Sequence, residues 1–271
     1  QGRVVGLFSG RGGVGKSAVS LMMALAAQRR NMRVALVDLD LQFGDVDYLA
    51  GKEPGSSIRR VALSQLCEQR TLPPTTEGEL ILVCAPEHPE QGEELLSSIP
   101  WLLTELASQC ELVVLNTGSF WMDVHAMAVR HCDHIILLMD QRATSVEACK
   151  RAIDLCLRLQ APQARLHYLL NGCGRHAALT ARDVSLALGG VEVRCLVDGG
   201  SLVDELLALG CPLELLESGN AFATSVEDFL DGLTGNRILS TGGPRASRRK
   251  AKILDFPLLQ GFFEGARHAA P

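Results

Sequence analysis

No apolar run in this chain approaches the ~20 residues needed to span a bilayer, so an integral membrane helix is excluded. No C-x-x-C pair occurs among the nine cysteines; Cys84, Cys110, Cys156 and Cys195 are typical in standing alone within apolar or helical stretches. They read as small buried hydrophobes of a reducing compartment, and with no secretory signal ahead of the first strand the expected location is cytoplasmic. A general positive field is also missing. Residues 236–271 carry seven Lys/Arg against Asp255 and Glu264, a net +5 that leaves −10 on residues 1–235. Nucleic acid is therefore not an expected partner of the main domain, and an anionic partner would engage a local patch or the tail. Because Gln1 stands directly before the first strand, the chain reads as a piece of something longer.

What is present is a regular alternation. Apolar runs at Val4–Phe8, Arg33–Val37, Leu80–Cys84, Leu112–Leu115, Ile135–Met139 and Leu166–Leu170 do not alternate with polar residues, and helical patterns separate them. Val191–Val197 is a weaker seventh run. Strands of this kind are buried on both faces, which predicts an α/β fold: a mostly parallel, twisted sheet of about seven or more strands with helices on both faces. Ile58–Glu68 reads as a short helix, and Gln91–Cys110 as a helix whose start or kink is set by Pro100. His131-Cys132-Asp133-His134 is the one dense group of metal-ligating types, but it lies between a helix and a strand where adjacent side chains point apart.

The stretch Ser9-Gly10-Arg11-Gly12-Gly13-Val14-Gly15-Lys16-Ser17 fits G-x-x-x-x-G-K-[ST] from Gly10 to Ser17. It sits between an apolar strand and a helix starting near Ala18, the context that lets backbone N–H groups and the helix N-terminus cradle phosphates. Lys16 is then the ligand of the β- and γ-phosphates, and the Ser17 hydroxyl a ligand of Mg²⁺. Asp38 and Asp40 follow the second strand, Asn116 the fourth and Asn171 the sixth. All lie at strand carboxyl ends, where ligands bind in parallel α/β sheets.

R-G-G-V-G-K-S followed by A-L-V-D-L-D-L-Q-F-G-D resembles the deviant Walker A ATPases of the MinD/ParA class, and within it the TadZ/CpaE type of pilus-assembly proteins. The similarity continues to about residue 233. It implies ATP/ADP and Mg²⁺ as ligands, a homodimer formed through the nucleotide face, partners among pilus or secretion assembly proteins, a polar or inner-membrane-peripheral position, and often a receiver-like domain upstream, which this chain lacks. By the same resemblance the phosphate loop Gly10, Arg11, Gly12, Gly13, Val14, Gly15, Lys16, Ser17 and Ala18 binds nucleotide. Asp38 supports that loop, Asp40 positions the attacking water, and Asn171 contacts adenine. Two positions depart from the pattern. Arg11 replaces the signature lysine that reaches the partner's nucleotide, a role a guanidinium can fill. Asn116 replaces the acidic residue that holds Mg²⁺ through water; an amide still accepts a hydrogen bond but brings no charge, so turnover is expected to be attenuated.

Residues 1–235 are thus expected to form the ATPase domain. Beyond them, a basic segment (Arg245 to Lys252) precedes an apolar one (Ile253 to Phe263), readable as a solvated tail, an arm docked on a protein, or a peripheral membrane contact. Alternatives to a slow ATPase are a nucleotide-gated scaffold that does not hydrolyse, a MinD/ParA-like septum or DNA positioning ATPase, and a reductase-type relative carrying an iron–sulfur cluster. The last requires cysteine pairs after the third and fourth strands, and no Cys follows Asn116 until Cys132.

Overall fold

A computed structural model describes residues 2–52, 57–174 and 177–235. Its first half runs β1 (Arg3–Phe8), α1 (Lys16–Arg29), β2 (Val34–Leu39), α2 (Val46–Ala50), β3 (Ile58–Ala62), α3 (Leu63–Gln69), β4 (Leu80–Cys84), α4 (Gly92–Leu95) and α5 (Ile99–Gln109). The second half runs β5 (Leu112–Thr117), α6 (Asp123–His131), β6 (His134–Met139), α7 (Ala143–Arg158), β7 (Leu166–Cys173), α8 (Ala181–Ala187), β8 (Val193–Val197), α9 (Ser201–Ala208), α10 (Pro212–Glu217) and α11 (Ala221–Thr234). The basic and apolar tail segments lie outside the described residues.

The eight strands form one sheet in the order β3-β4-β2-β5-β1-β6-β7-β8, every pair parallel. The non-alternating apolar runs explain this: Leu36, Val114, Ile136 and Leu169 face one side while Val37, Val113, Leu137 and Leu170 face the other, and all are buried. On one side pack α3, α5, α6, α7 and α8; on the other pack α1, α2, α9, α10 and α11. Helix α1 is buried from Val19 to Ala27, pressed between the sheet and α10–α11, and its small residues Ala24, Ala26 and Ala27 allow that close approach.

The expected helix over Ile58–Glu68 is corrected. Ile58–Ala62 is an edge strand and only Leu63–Gln69 is helical. Arg59 and Arg60, which fit a helix equally well, serve the edge: Arg59 pairs with Glu79 (2.6 Å), and Arg60 binds the Asp47 carboxylate and the Gly51 carbonyl. The segment expected as one helix over Gln91–Cys110 is broken, α5 beginning at Ile99 with Pro100 in its first turn, where a missing N–H costs nothing. The His131–His134 group is structural: the Val4 N–H donates to Asp133 Oδ2 (2.9 Å), and His134 faces His167 (2.9 Å between ring nitrogens). No group of three or more metal-ligating side chains occurs among the described residues, and no described helix is long and apolar enough to cross a membrane.

Candidate nucleotide site

Strand order decides which residues meet. β1 lies between β5 and β6, and β2 lies on the far side of β5, so the phosphate loop after β1 is flanked by residues from β2 and β5. Asp38 of β2 and Asn116 of β5 are register partners, and Asn116 is also the partner of Leu7 in β1. Gly15, with φ of 89°, ends the loop and turns the chain into α1, so that the helix N-terminus opens on the sheet's carboxyl edge. A Cβ at Gly15 would stand 2.3 Å from Asn171 Nδ2, so that position also requires glycine for space.

Lys16 is buried, its ammonium donating to Ser9 Oγ (2.8 Å) and Ser119 Oγ (2.9 Å). Burial pulls its pKa down to about 8, opposed by the nearby Asp40 and Asp45 carboxylates, so near neutral pH it keeps its charge. Ser17 opens toward the same space, its Oγ 3.5 Å from Asn116 Nδ2. Asn116 Nδ2 also donates to Asp38 Oδ1 (3.0 Å), which fixes the amide's orientation and leaves its Oδ1 buried without a partner. An orphaned buried acceptor beside Ser17 fits a water carried by a bound cation.

Asp38 and Asp40 are not equivalent. Asp38 is sealed under the site, accepting from the Asp40 N–H (3.2 Å), the Val46 N–H (3.2 Å) and Asn116. Asp40, just past β2, lines a phosphate-side cleft of about 580 Å³ together with Lys16, Ser17 and Ser119. That cleft runs into a second of about 630 Å³, lined by Asn171, Gly172, Asp140 and Val197; Gly13, Gly15, Ala18, Asp204 and Leu207 border both. Together they make a groove with a cationic end and an amide-bearing end. Asn171 Nδ2 donates to the Val14 carbonyl (2.9 Å), leaving its Oδ1 and second N–H for a ligand. Arg11 is turned toward α7, donating to Thr144 Oγ1 (2.5 Å), so a reach to a partner subunit would require leaving that hydroxyl.

The loop after β5 holds residues that the sequence gave no reason to single out. His125 is buried; its Nδ1 accepts from the Met122 N–H (3.2 Å), so its Nε2 carries the proton and donates to the Gly118 carbonyl (2.9 Å). Burial lowers its pKa and keeps the ring neutral. Trp121 stacks on it (5.2 Å between centroids) and donates to the Ser9 carbonyl (2.8 Å). Nothing in a local spacing could have tied Trp121 to Ser9, because that contact depends on β1 and β5 being neighbours.

Parallel sheet, phosphate loop and strand-end carboxylates together define an α/β P-loop NTPase fold of the MinD/ParA type. Comparison with known proteins agrees. The ParA family model, described as NUBPL iron-transfer P-loop NTPase, matches residues 2–83. The antiactivator FleN of Pseudomonas aeruginosa is 26% identical over 160 residues, 58% of this chain and 57% of FleN, so the chain spans little more than half of that relative. A cytosolic Fe-S cluster assembly factor, the Nubp2 homolog of Drosophila willistoni, is 22% identical over 213 residues, 70% of this chain and 76% of that protein. Among solved structures, a ParA family ATPase from Chlorobium tepidum superposes with a TM-score of 0.74 at 18% identity, covering 85% of this chain and 99% of that one. The septum site-determining protein MinD complexed with Mg-ADP, from Pyrococcus horikoshii, gives 0.72 at 14% identity, covering 86% and 96%.

Proposed function

We propose that this chain is an ATP- and Mg²⁺-binding switch that dimerises through its nucleotide face and positions a pilus or secretion assembly machine, with hydrolysis attenuated by Asn116. One observation carries the nucleotide reading: the buried Lys16 ammonium, the Ser17 hydroxyl, the Asp40 carboxylate and the orphaned Asn116 Oδ1 converge at the N-terminus of α1. Gly10 to Ser17 cradle the phosphates, with Ala18 beside them, and Asn171 contacts the base. Mg²⁺, when bound, bridges phosphate oxygens and offsets their charge. Ser17 is its direct ligand, and Asn116 and Asp40 hold its waters. Since Asn116 is neutral, Asp40 supplies the negative charge facing the cation, which supports weak turnover with intact binding.

The positioning role is supported by D-L-D-L-Q-F-G-D and by the likeness to a septum site-determining protein and to a MinC:MinD complex. A cluster-carrying role has the Nubp2 similarity in its favour, but the cysteine placement does not suit it: Cys84 ends β4, none lies between Asn116 and Cys132, and Cys132 is buried. Calorimetry with ATP and Mg²⁺ tests the reading; no binding by the parent, or a Lys16→Ala variant that binds as the parent does, would overturn it. Single-turnover hydrolysis is expected to rise at least about tenfold in Asn116→Asp, which restores a charge at the cation, and to collapse in Asp40→Ala.

A further inference from the structure

Two hydroxyls share the Lys16 ammonium, and they differ in what each has left to give. Ser9 Oγ accepts from Lys16 Nζ and donates its own proton to the Arg11 carbonyl (2.7 Å), so its donor is spent inside the loop. Ser119 Oγ accepts from Lys16 Nζ at 2.9 Å, and among the described residues nothing accepts the Ser119 proton. Lys16 itself has three N–H donors and gives two of them to these serines. One ammonium proton and the Ser119 hydroxyl proton therefore remain side by side at the mouth of the phosphate cleft.

The placement of Ser119 is built rather than incidental. Thr117 Oγ1 donates to the Leu7 carbonyl (2.6 Å), His125 holds the Gly118 carbonyl, and Trp121 holds the Ser9 carbonyl. The backbone is thus fixed on both sides of Ser119, whose Oγ lies 3.5 Å from where a Cβ on Gly12 would stand. It faces the loop's crown across Lys16, opposite the N-terminus of α1 where the inner phosphates would lie.

We propose that Ser119 is a ligand of the terminal phosphate and makes this site prefer a nucleoside triphosphate to a diphosphate. The inference rests on the nucleotide reading above. A hydroxyl donating to a phosphate oxygen makes a charge-assisted hydrogen bond, and only a triphosphate places an oxygen there.

The test is calorimetry of the full chain with Mg²⁺, using AMPPNP and ADP on the parent, Ser119→Ala, Ser119→Thr and Ser9→Ala. Ser119→Ala should weaken AMPPNP about tenfold more than it weakens ADP. Ser119→Thr keeps the hydroxyl and should restore the preference. Ser9→Ala also takes a partner from Lys16 but offers no terminal-phosphate donor, so it should move both ligands alike. A Ser119→Ala variant that loses both ligands equally, or neither, would overturn the inference while leaving ATP binding by the parent intact. A parent that binds neither nucleotide overturns the nucleotide reading and this inference with it.

Discussion

At Asp38, burial and hydrogen bonding pull against each other. Three donors favour its ionised form, yet removal from water dominates and pushes its pKa up to about 7 from 3.8. Between those two values the folded protein holds a proton that the unfolded chain has released. Stability must therefore fall as pH rises through that window and level off above it. Other carboxylates contribute to parent and variant alike, so the difference between them isolates Asp38. In urea unfolding, the parent is expected to lose up to about 4 kcal/mol relative to Asp38→Asn between pH 4 and pH 7. A parent that gains stability over that range relative to the variant would show Asp38 to be ionised in the fold. Lys16 acts outside this window: its depressed pKa of about 8 adds stability only as pH rises from there toward 10.5.

The turn between β2 and α2 shows what a motif encodes as a piece of structure. In D-L-D-L-Q-F-G-D, Gly44 passes so close to the sheet that a Cβ would lie 2.5 Å from Asp38 Oδ2 and 2.5 Å from Ala85 Cβ. Neither neighbour can retreat, since Asp38 is held by Asn116 and Val46 and Ala85 follows β4. Gly44→Ala should cost about 1–3 kcal/mol in urea unfolding, as overpacking does, whereas Gln42→Ala at an exposed neighbour should stay within about 0.5 kcal/mol. Equal small effects would mean that the turn relaxes freely. The same contrast explains what could be read from the chain. β1, β2 and β4 to β7 were legible because strands buried on both faces leave unbroken apolar runs. β3 was not, because a half-buried edge carrying Arg59 and Arg60 has no period of its own. The phosphate loop, Asp38, Asp40 and Asn116 were legible as residues that follow strands; their grouping with Ser119, Trp121 and His125 was not, because it arises from strand order.

Across the whole molecule, the large exposed aromatics crowd one face. Phe43, Tyr48 and Phe120 are 78%, 72% and 78% exposed in a chain with only 4% aromatic residues. Phe43 and Tyr48 line the phosphate cleft with Lys16, and Phe43, Phe120 and Met122 line the adjoining groove with Asp40 and Ser119. Apolar surface rimming a polar site gains most when a second protein surface covers it, because water leaves the rings and the charges at once. In the proposed dimer a second copy provides that cover. Its arrival would depend on nucleotide, because phosphate at Lys16 and Ser119 sits on the loop that carries Phe120. Light scattering should show the parent passing from monomer to dimer with AMPPNP and Mg²⁺ but not with ADP. A Phe43→Ser/Phe120→Ser variant should bind AMPPNP within about threefold of the parent, since neither ring supplies a phosphate ligand, yet stay monomeric. A variant that dimerises as the parent does would move the interface off this face, and a parent that stays monomeric with both nucleotides would leave the switch without its dimer.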